Sequence, residues 1–169
     1  IISELVGIEE YEVVDATYYE WLDPKTAVFQ LEPIEDGPWI CSECGQIVET
    51  AYDRKKYRIL DLPFGKWKRV YLEVPKVRVD CPDCGIHQEA LEFVEWRRGY
   101  TKRLKKEVAL ACRKLRCLVE IAGTYQLSPY QVKAIDRAYL MNELPAPDYS
   151  QVRWIGVDEF SLKKGHEYA

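Results

Sequence analysis

The sequence predicts an α+β protein, β-rich in front and helical behind, and three observations carry that prediction. Up to Asp80, apolar residues alternate with polar ones or gather in β-branched and aromatic runs. From Thr101 they recur at spacings of three and four, the period of a helix face. Two Cys-x-x-Cys-Gly motifs bracket the second half of the β-rich region. The 169 residues leave room for one ordinary domain or a few small ones. Modules of roughly 40–60 residues are marginal without a staple such as a metal ion.

In chain order, residues 11–19 and 26–31 form a hairpin by signal, with Asp23-Pro24-Lys25 as the turn. Residues 57–62 and 67–74 alternate and are joined by Pro63-Phe64-Gly65-Lys66. Residues 76–80 continue as strand beyond Pro75, which belongs at an edge or bulge because it has no N–H to give a ladder. Leu104, Val108, Ala111 and Leu115 mark the first helix. Residues 144–150, with two prolines, read as a linker, and 152–158 as a new, buried strand. No internal repeat, low-complexity tract or long apolar run is present, so neither a signal peptide nor a membrane span is expected, and the chain reads as soluble and cytoplasmic. It opens on Ile1 and closes on Glu167-Tyr168-Ala169, which reads as the middle of a strand, so a piece of a longer protein is expected.

The net charge of -4 conceals strong segregation. Residues 1–50 carry twelve acids and one base, residues 51–80 four acids and nine bases, residues 81–95 four acids and no base, and residues 96–117 one acid and nine bases. Two basic segments are the electrostatic footprint of a phosphate-backbone contact, or else solvated faces.

Cys41-Ser42-Glu43-Cys44-Gly45 and Cys81-Pro82-Asp83-Cys84-Gly85 are each a zinc knuckle by pattern. Two residues between thiolates let one tight turn present both to a tetrahedral ion, and the following glycine lets the backbone close around the sulfur. The 36 intervening residues exceed usual ribbon spacing, but an inserted hairpin returns its ends to one place. A disulfide framework or a redox pair are the alternatives; the first does not suit a cell interior and the second lacks a βαβ context. A structural Zn2+ on Cys41, Cys44, Cys81 and Cys84 is the expected cofactor. His87 is read as a surface histidine, since four thiolates complete the tetrahedron, and Cys112 and Cys117 as packing residues.

Leu118, Ile121, Ala122, Tyr125, Leu127, Val132 and Ile135 are spaced as two short helices across a tight turn, with Ser128-Pro129 as N-cap and first helical residue. An ordinary αα-hairpin or a helix-turn-helix both fit. The second helix would present Tyr130, Gln131, Lys133, Ala134 and Arg137, with Gln131 and Lys133 as the foremost base-edge candidates. Ser128 stands at its start among the DNA-facing candidates. The preceding Arg97, Arg98, Lys102, Arg103, Lys105 and Lys106 suit phosphate contacts, which position a protein without specifying sequence.

Taken in order, the two knuckles, residues 58–63 (Arg-Ile-Leu-Asp-Leu-Pro), Tyr100-Thr101, residues 155–160 (Ile-Gly-Val-Asp-Glu-Phe) and residues 163–168 (Lys-Lys-Gly-His-Glu-Tyr) resemble the ISL-three family of bacterial insertion-sequence transposases. The resemblance runs from about Trp39 to Ala169. It implies a zinc finger, a helix-turn-helix and a DDE catalytic domain of ribonuclease-H type. Asp158 would be the first acid of the catalytic triad, and Glu159 is not the triad glutamate. Two divalent ions about 4 Å apart need several converging carboxylates. The other two acids would lie beyond Ala169, so the chain is expected to recognise DNA without cutting it, with Mg2+ or Mn2+ relevant only to a complete catalytic domain.

The expected organisation is therefore an N-terminal hairpin region (1–38), a zinc-ribbon-like domain (39–95), a helix-turn-helix domain (96–143), a linker (144–151) and the truncated start of a catalytic domain (152–169). Double-stranded DNA at transposon ends is the expected partner, in a nucleoid-associated bacterial protein. The acidic N-terminal part points away from DNA and is a candidate contact to another subunit. A stand-alone zinc-containing regulator and a zinc-ribbon protein-interaction module without DNA affinity are the competing readings.

Overall fold

The computed structural model describes residues 6–95, 97–114, 117–143, 148–150, 152–156, 161–163 and 167–168. Strands β1 (Tyr11–Tyr19), β2 (Thr26–Pro33), β5 (Ala51–Asp61), β6 (Arg69–Cys81) and β7 (Gly85–Gln88) form one sheet in the order β1-β2-β6-β5, with β7 also on β6. Only β2 and β6 run parallel; the other pairs are antiparallel. The sheet thus crosses the boundary expected near residue 38, and the N-terminal hairpin shares a core with the long β5–β6 hairpin.

Strand β6 organises the molecule. Its early part pairs with β2 from Arg69 to Glu73 and its late part with β7 from Arg78 to Cys81. Pro75 sits in the interval between these two partners, where its missing N–H costs no ladder bond on that edge. In the same interval the Val77 N–H donates to the buried Glu89 carboxylate (2.6 Å) and the Glu89 N–H to the Val77 carbonyl (2.9 Å). Burial there raises the pKa of Glu89.

Side chains alternate along a strand, so the buried residues of β6 reveal which face is covered. Val70, Leu72 and Val74 enter one core with Ala27, Phe29, Leu31 and Ile59. Val77, Val79 and Cys81, on the opposite face, enter another with Cys41 and Val48. The buried face switches across Pro75-Lys76. The short strands β3 (Trp39–Ile40) and β4 (Ile47–Val48) pair with each other and complete the cysteine-bearing lobe.

Behind the sheet, helices α1 (Lys102–Arg113), α2 (Leu118–Tyr125) and α3 (Pro129–Glu143) enclose a third core of Leu104, Val108, Ile121, Leu127, Val132 and Ile135, joined by Leu60 and Tyr100. Thr101 caps α1: its hydroxyl accepts the Leu104 N–H (3.2 Å) and donates to Asp61 (2.7 Å) at the end of β5. Residues 99–101 lie along the free edge of β5, with Leu60 N–H to Gly99 carbonyl (2.9 Å) and Thr101 N–H to Leu60 carbonyl (3.0 Å). Among the described residues, no helix is long and apolar enough to cross a membrane.

The expected buried strand at 152–158 is corrected over its described part. Residues 152–156 have no regular structure, and Trp154 and Ile155 are 92% and 83% exposed. No described strand pairs with them, and an apolar strand cannot be buried without neighbours on both faces. Strands β8 (Ser161–Lys163) and β9 (Glu167–Tyr168) form a separate antiparallel pair.

Candidate metal centre and nucleic-acid interface

The four knuckle cysteines converge as their spacing predicts. Their sulfurs all lie within 4.8 Å of one another, with Cys44 and Cys81 3.6 Å apart. A tetrahedral zinc with bonds of about 2.3 Å sets its sulfurs roughly 3.8 Å apart, so the donor set fits that ion in both chemistry and size.

Local sequence explains the convergence. In the first knuckle the Gly45 N–H bonds the Cys41 carbonyl and the Cys41 N–H the Gln46 carbonyl, each at 2.8 Å. Gly45 and Gly85 occupy φ +76° and +78°, a conformation that costs a residue with a Cβ. In the second knuckle Cys81 pairs with Gly85 as β6 turns into β7. Ser42 N–H to Gln88 carbonyl (3.1 Å), a bridge from Cys41 to Glu89, and Gln46 Nε2 to Asp83 Oδ2 (2.6 Å) tie the knuckles together.

The electrostatics favour a cation. Backbone N–H groups of Cys44 and Glu43 directed at the Cys41 sulfur lower its pKa to about 7. Cys84, hydrogen-bonded to Cys44 and crowded by its neighbours, is pushed up to about 12. Four thiolates this close repel one another, and a divalent ion is what lets all four ionise. His87 stays out of the sulfur group, its Nε2 donating to the Cys84 carbonyl (3.0 Å).

In the helical part, α2 and α3 are joined by Gln126, Leu127 and Ser128, with Leu127 buried in the turn. Gln126 takes a left-handed conformation (φ +57°) that few non-glycine residues adopt. It is held there by its own amide donating to the Gly123 carbonyl (2.6 Å) and by Arg69 of β6 donating to its Oε1 (3.1 Å). Ser128 and Gln131 form a reciprocal capping box: the Gln131 N–H reaches the Ser128 hydroxyl (3.2 Å) and the Ser128 N–H the Gln131 Oε1 (2.9 Å). Val132 and Ile135 face the core, while Tyr130, Lys133 and Arg137, three and four residues apart, are exposed on the opposite side. Arg113 of α1 meets Asp136 of α3 at 2.5 Å.

The stretch 37–84, containing all four clustered cysteines, matches the family described as the zinc-finger of transposase IS204/IS1001/IS1096/IS1165. Over its whole length the chain is 33% identical to the transposase for insertion sequence element IS1001 of Bordetella parapertussis, covering 41% of that protein. These matches support an ISL-three family insertion-sequence transposase. It is also 26% identical over 99% of its length to the transposase for insertion sequence element IS1557 of Mycobacterium tuberculosis, covering 38% of that protein. The chain therefore spans about two-fifths of the length of these relatives. No solved structure matches it.

The fold redistributes the expected DNA-facing residues. Arg98, Lys102 and Lys106 are exposed beside Arg97 at and after the approach to α1. Arg103 instead makes a bidentate pair with buried Asp61 and reaches the Val6 carbonyl, and Lys105 pairs with Glu95 at 2.6 Å. Both are engaged within the fold because the sheet and the loop before α1 supply carboxylates next to them. Gln131 is likewise occupied as a cap. Cys112 packs against the helical core, but Cys117 is exposed at the start of α2, since no core faces that position. Asp158 lies outside the described residues.

Sequence reasoning missed three positioning residues: Asp61, Gln126 and Glu89. Asp61 had a signal, a carboxylate at the end of an alternating strand followed forty residues later by Thr101 and Arg103. Glu89 had none, because its partner Val77 is brought to it by tertiary structure, and for Gln126 the local bond to Gly123 is not written in the sequence and the bond from Arg69 is tertiary.

Proposed function

We propose that this chain is the DNA-binding N-terminal part of a DDE transposase and recognises the ends of an insertion sequence during DNA transposition. The observation that carries the reading is α3. It is capped by Ser128 and Gln131, fixed to α1 and α2 through Val132 and Ile135, and bears Tyr130, Lys133 and Arg137 on its solvent face. A helix with a buried back and a polar, cationic front has the form of one that enters a major groove. Lys133 and Arg137 donate to base edges, with Tyr130 beside them, while Arg97, Arg98, Lys102 and Lys106 contact phosphates. The zinc ion holds the knuckle lobe in shape and takes no part in chemistry, as befits four cysteine ligands that leave no open position. Asp158 is assigned as the first acid of a catalytic site completed elsewhere in the full protein, where Mg2+ or Mn2+ would act. A homo-oligomer, contacted through the acidic N-terminal part, belongs to the same reading.

The test is affinity of the zinc-loaded chain for mixed-sequence duplex DNA across a range of salt. Micromolar or tighter binding that weakens steeply with salt is expected. Folded, zinc-loaded protein without affinity at low salt would replace this reading with that of a protein-interaction module. The stand-alone regulator reading predicts the same affinity but no preference for transposon ends over unrelated sequence.

A further inference from the structure

A cleft of about 510 Å³ opens between residues 33–40, which lead from β2 into β3, and residues 89–93, which follow β7. Among the described residues, six carboxylates and one cation, Arg54, line it. Arg54 is already engaged, since it bonds Asp36 at 2.6 Å. Glu9, Glu10, Glu35 and Glu92 are exposed at the rim, and none of them is ion-paired among the described residues.

Exposed acids alone bind nothing in particular, but the floor of this cleft is different. Glu89 is only 6% exposed. Its Oε1 takes the Val77 N–H at 2.6 Å, while no donor reaches Oε2 among the described residues. Because no fully buried side-chain oxygen there is left without a partner, Oε2 is open to the cleft. Arg54 and Lys76 also attract this charge. A carboxylate stripped of most of its hydration, with one oxygen unbonded, is stabilised by a cation that also donates a hydrogen bond. The walls suit such a cation. The Trp39 indole lies against Gly37, where a Cβ would come within 3.3 Å of the ring, and the Arg54 guanidinium sits 5.5 Å from the ring centre. The fold thus already holds one guanidinium here, between an aromatic face and a carboxylate. Tyr11 and Phe93, edge to face at 5.4 Å, add further ring surface to the lining.

We infer that this cleft docks a basic peptide segment of another protein, with an arginine side chain bonding Glu89 and lying against the aromatic wall. Charge complementarity selects the occupant. DNA phosphates are repelled by the same carboxylates, and an apolar segment would leave Glu89 desolvated and unpaired. Arginine fits better than lysine because its planar fork can bond the open oxygen and stack on a ring at once. Arg54, Arg58, Arg78, Arg103 and Arg113 of the chain itself are bonded to its own carboxylates, which favours a separate protein over a second copy. The inference goes beyond the DNA-binding reading and does not depend on it.

The experiment titrates the zinc-loaded chain at physiological salt with a short labelled peptide of alternating arginine and serine, and with the same peptide carrying citrulline instead of arginine. Saturable binding of the arginine peptide alone is expected. Glu89→Gln keeps an oxygen for the Val77 N–H while removing the charge, and should weaken binding about tenfold or more. Glu35→Gln/Glu92→Gln, at the exposed rim, should weaken it about fivefold. Asp15→Asn/Glu49→Gln removes as much charge from exposed positions outside the cleft and should change little. Zinc content and melting temperature check folding, and if Glu89→Gln disturbs either, the rim pair decides. Equal losses in the cleft and control variants would reduce the site to general acidity and overturn it. Binding of the citrulline peptide, or no binding by the parent, would overturn it too. Self-association of the chain that the cleft variants abolish would give the cleft to a second copy and overturn docking of a separate protein. Duplex affinity measured on the same samples keeps the DNA-binding reading apart from either result.

Discussion

The knuckle lobe and the helical lobe both pack against the β5–β6 hairpin, yet they are held by different physics. The knuckle core consists of Cys41, Val48, Val77, Val79 and Cys81, so two of its five buried members are themselves metal ligands. Among the described residues the helical core has eleven buried members, including Leu104, Val108, Ile121, Val132 and Ile135, with no ligand among them. Burying a large aliphatic side chain contributes roughly 2 kcal/mol, so the helical core can oppose its ordering entropy by burial alone. The knuckle core cannot, and metal coordination must supply the difference. One lobe should therefore fail all at once when a ligand is removed, and the other should weaken in proportion to the apolar volume removed.

The largest expected effect is metal removal. Structural zinc binding is worth on the order of 10 kcal/mol of folding free energy in small modules. Chelation, or Cys84→Ser, should expose the amides around 39–48 and 81–89 to rapid hydrogen exchange while those of 104–135 stay protected. Elemental analysis of the parent should give one zinc per chain. Retained protection of the knuckles in metal-free protein would mean that the lobe does not depend on coordination.

The reciprocal break is Leu104→Ala. Leu104 is completely buried, and such truncations cost about 3 kcal/mol, depending on how far the site collapses. Melting of the helical signal should shift down while zinc content stays at one. Loss of zinc together with the helices would show that the two lobes fold as a single cooperative unit.

Asp61 tests what joins them. Its carboxylate is 4% exposed and takes Arg103 and the Thr101 hydroxyl, linking the end of β5 to the N-cap of α1. Asp61→Ala leaves the Thr101 hydroxyl and the Arg103 guanidinium without that partner. Because Arg103 is about one-third exposed, water recovers part of its solvation, and a loss of about 2 kcal/mol is expected. Thermal melts should show separate transitions for sheet and helices. A single transition with an unchanged midpoint would remove Asp61 from the connection.

How much could be read beforehand follows the same division. The zinc ligands were legible because a chemical spacing, two residues and a glycine, is local and survives any tertiary arrangement. The helix pair was legible because Ser128-Pro129 and the spacing from Ile121 to Ile135 are local too. The union of the N-terminal hairpin with β6 was not, since parallel pairing of Thr26 with Arg69 leaves no local pattern. The face switch in β6 was written as Val74-Pro75-Lys76-Val77, a slip in alternation, but its meaning depends on two separate cores lying on opposite faces. Charge alone likewise could not separate Lys106, which faces solvent, from Arg103, which faces Asp61, because both fall in one basic run.

The smallest effect sharpens the contrast within the helical lobe itself, between residues that build α3 and residues that use it. Gln131 was legible as a base reader from its position near the helix start, and the fold makes it half of a capping box with Ser128. Gln131→Ala should then cost about 1 kcal/mol of stability and leave the ranking of bound DNA sequences unchanged. Lys133→Ala should do the opposite, changing the ranking with little effect on melting, since Lys133 is exposed and the core lies on the other side of the helix. A binding-site selection on the two variants separates the roles. If Gln131→Ala shifts the selected sequence while melting stays fixed, the cap opens on binding and the glutamine turns to the bases, which would place part of the recognition energy in a bond the free protein already makes.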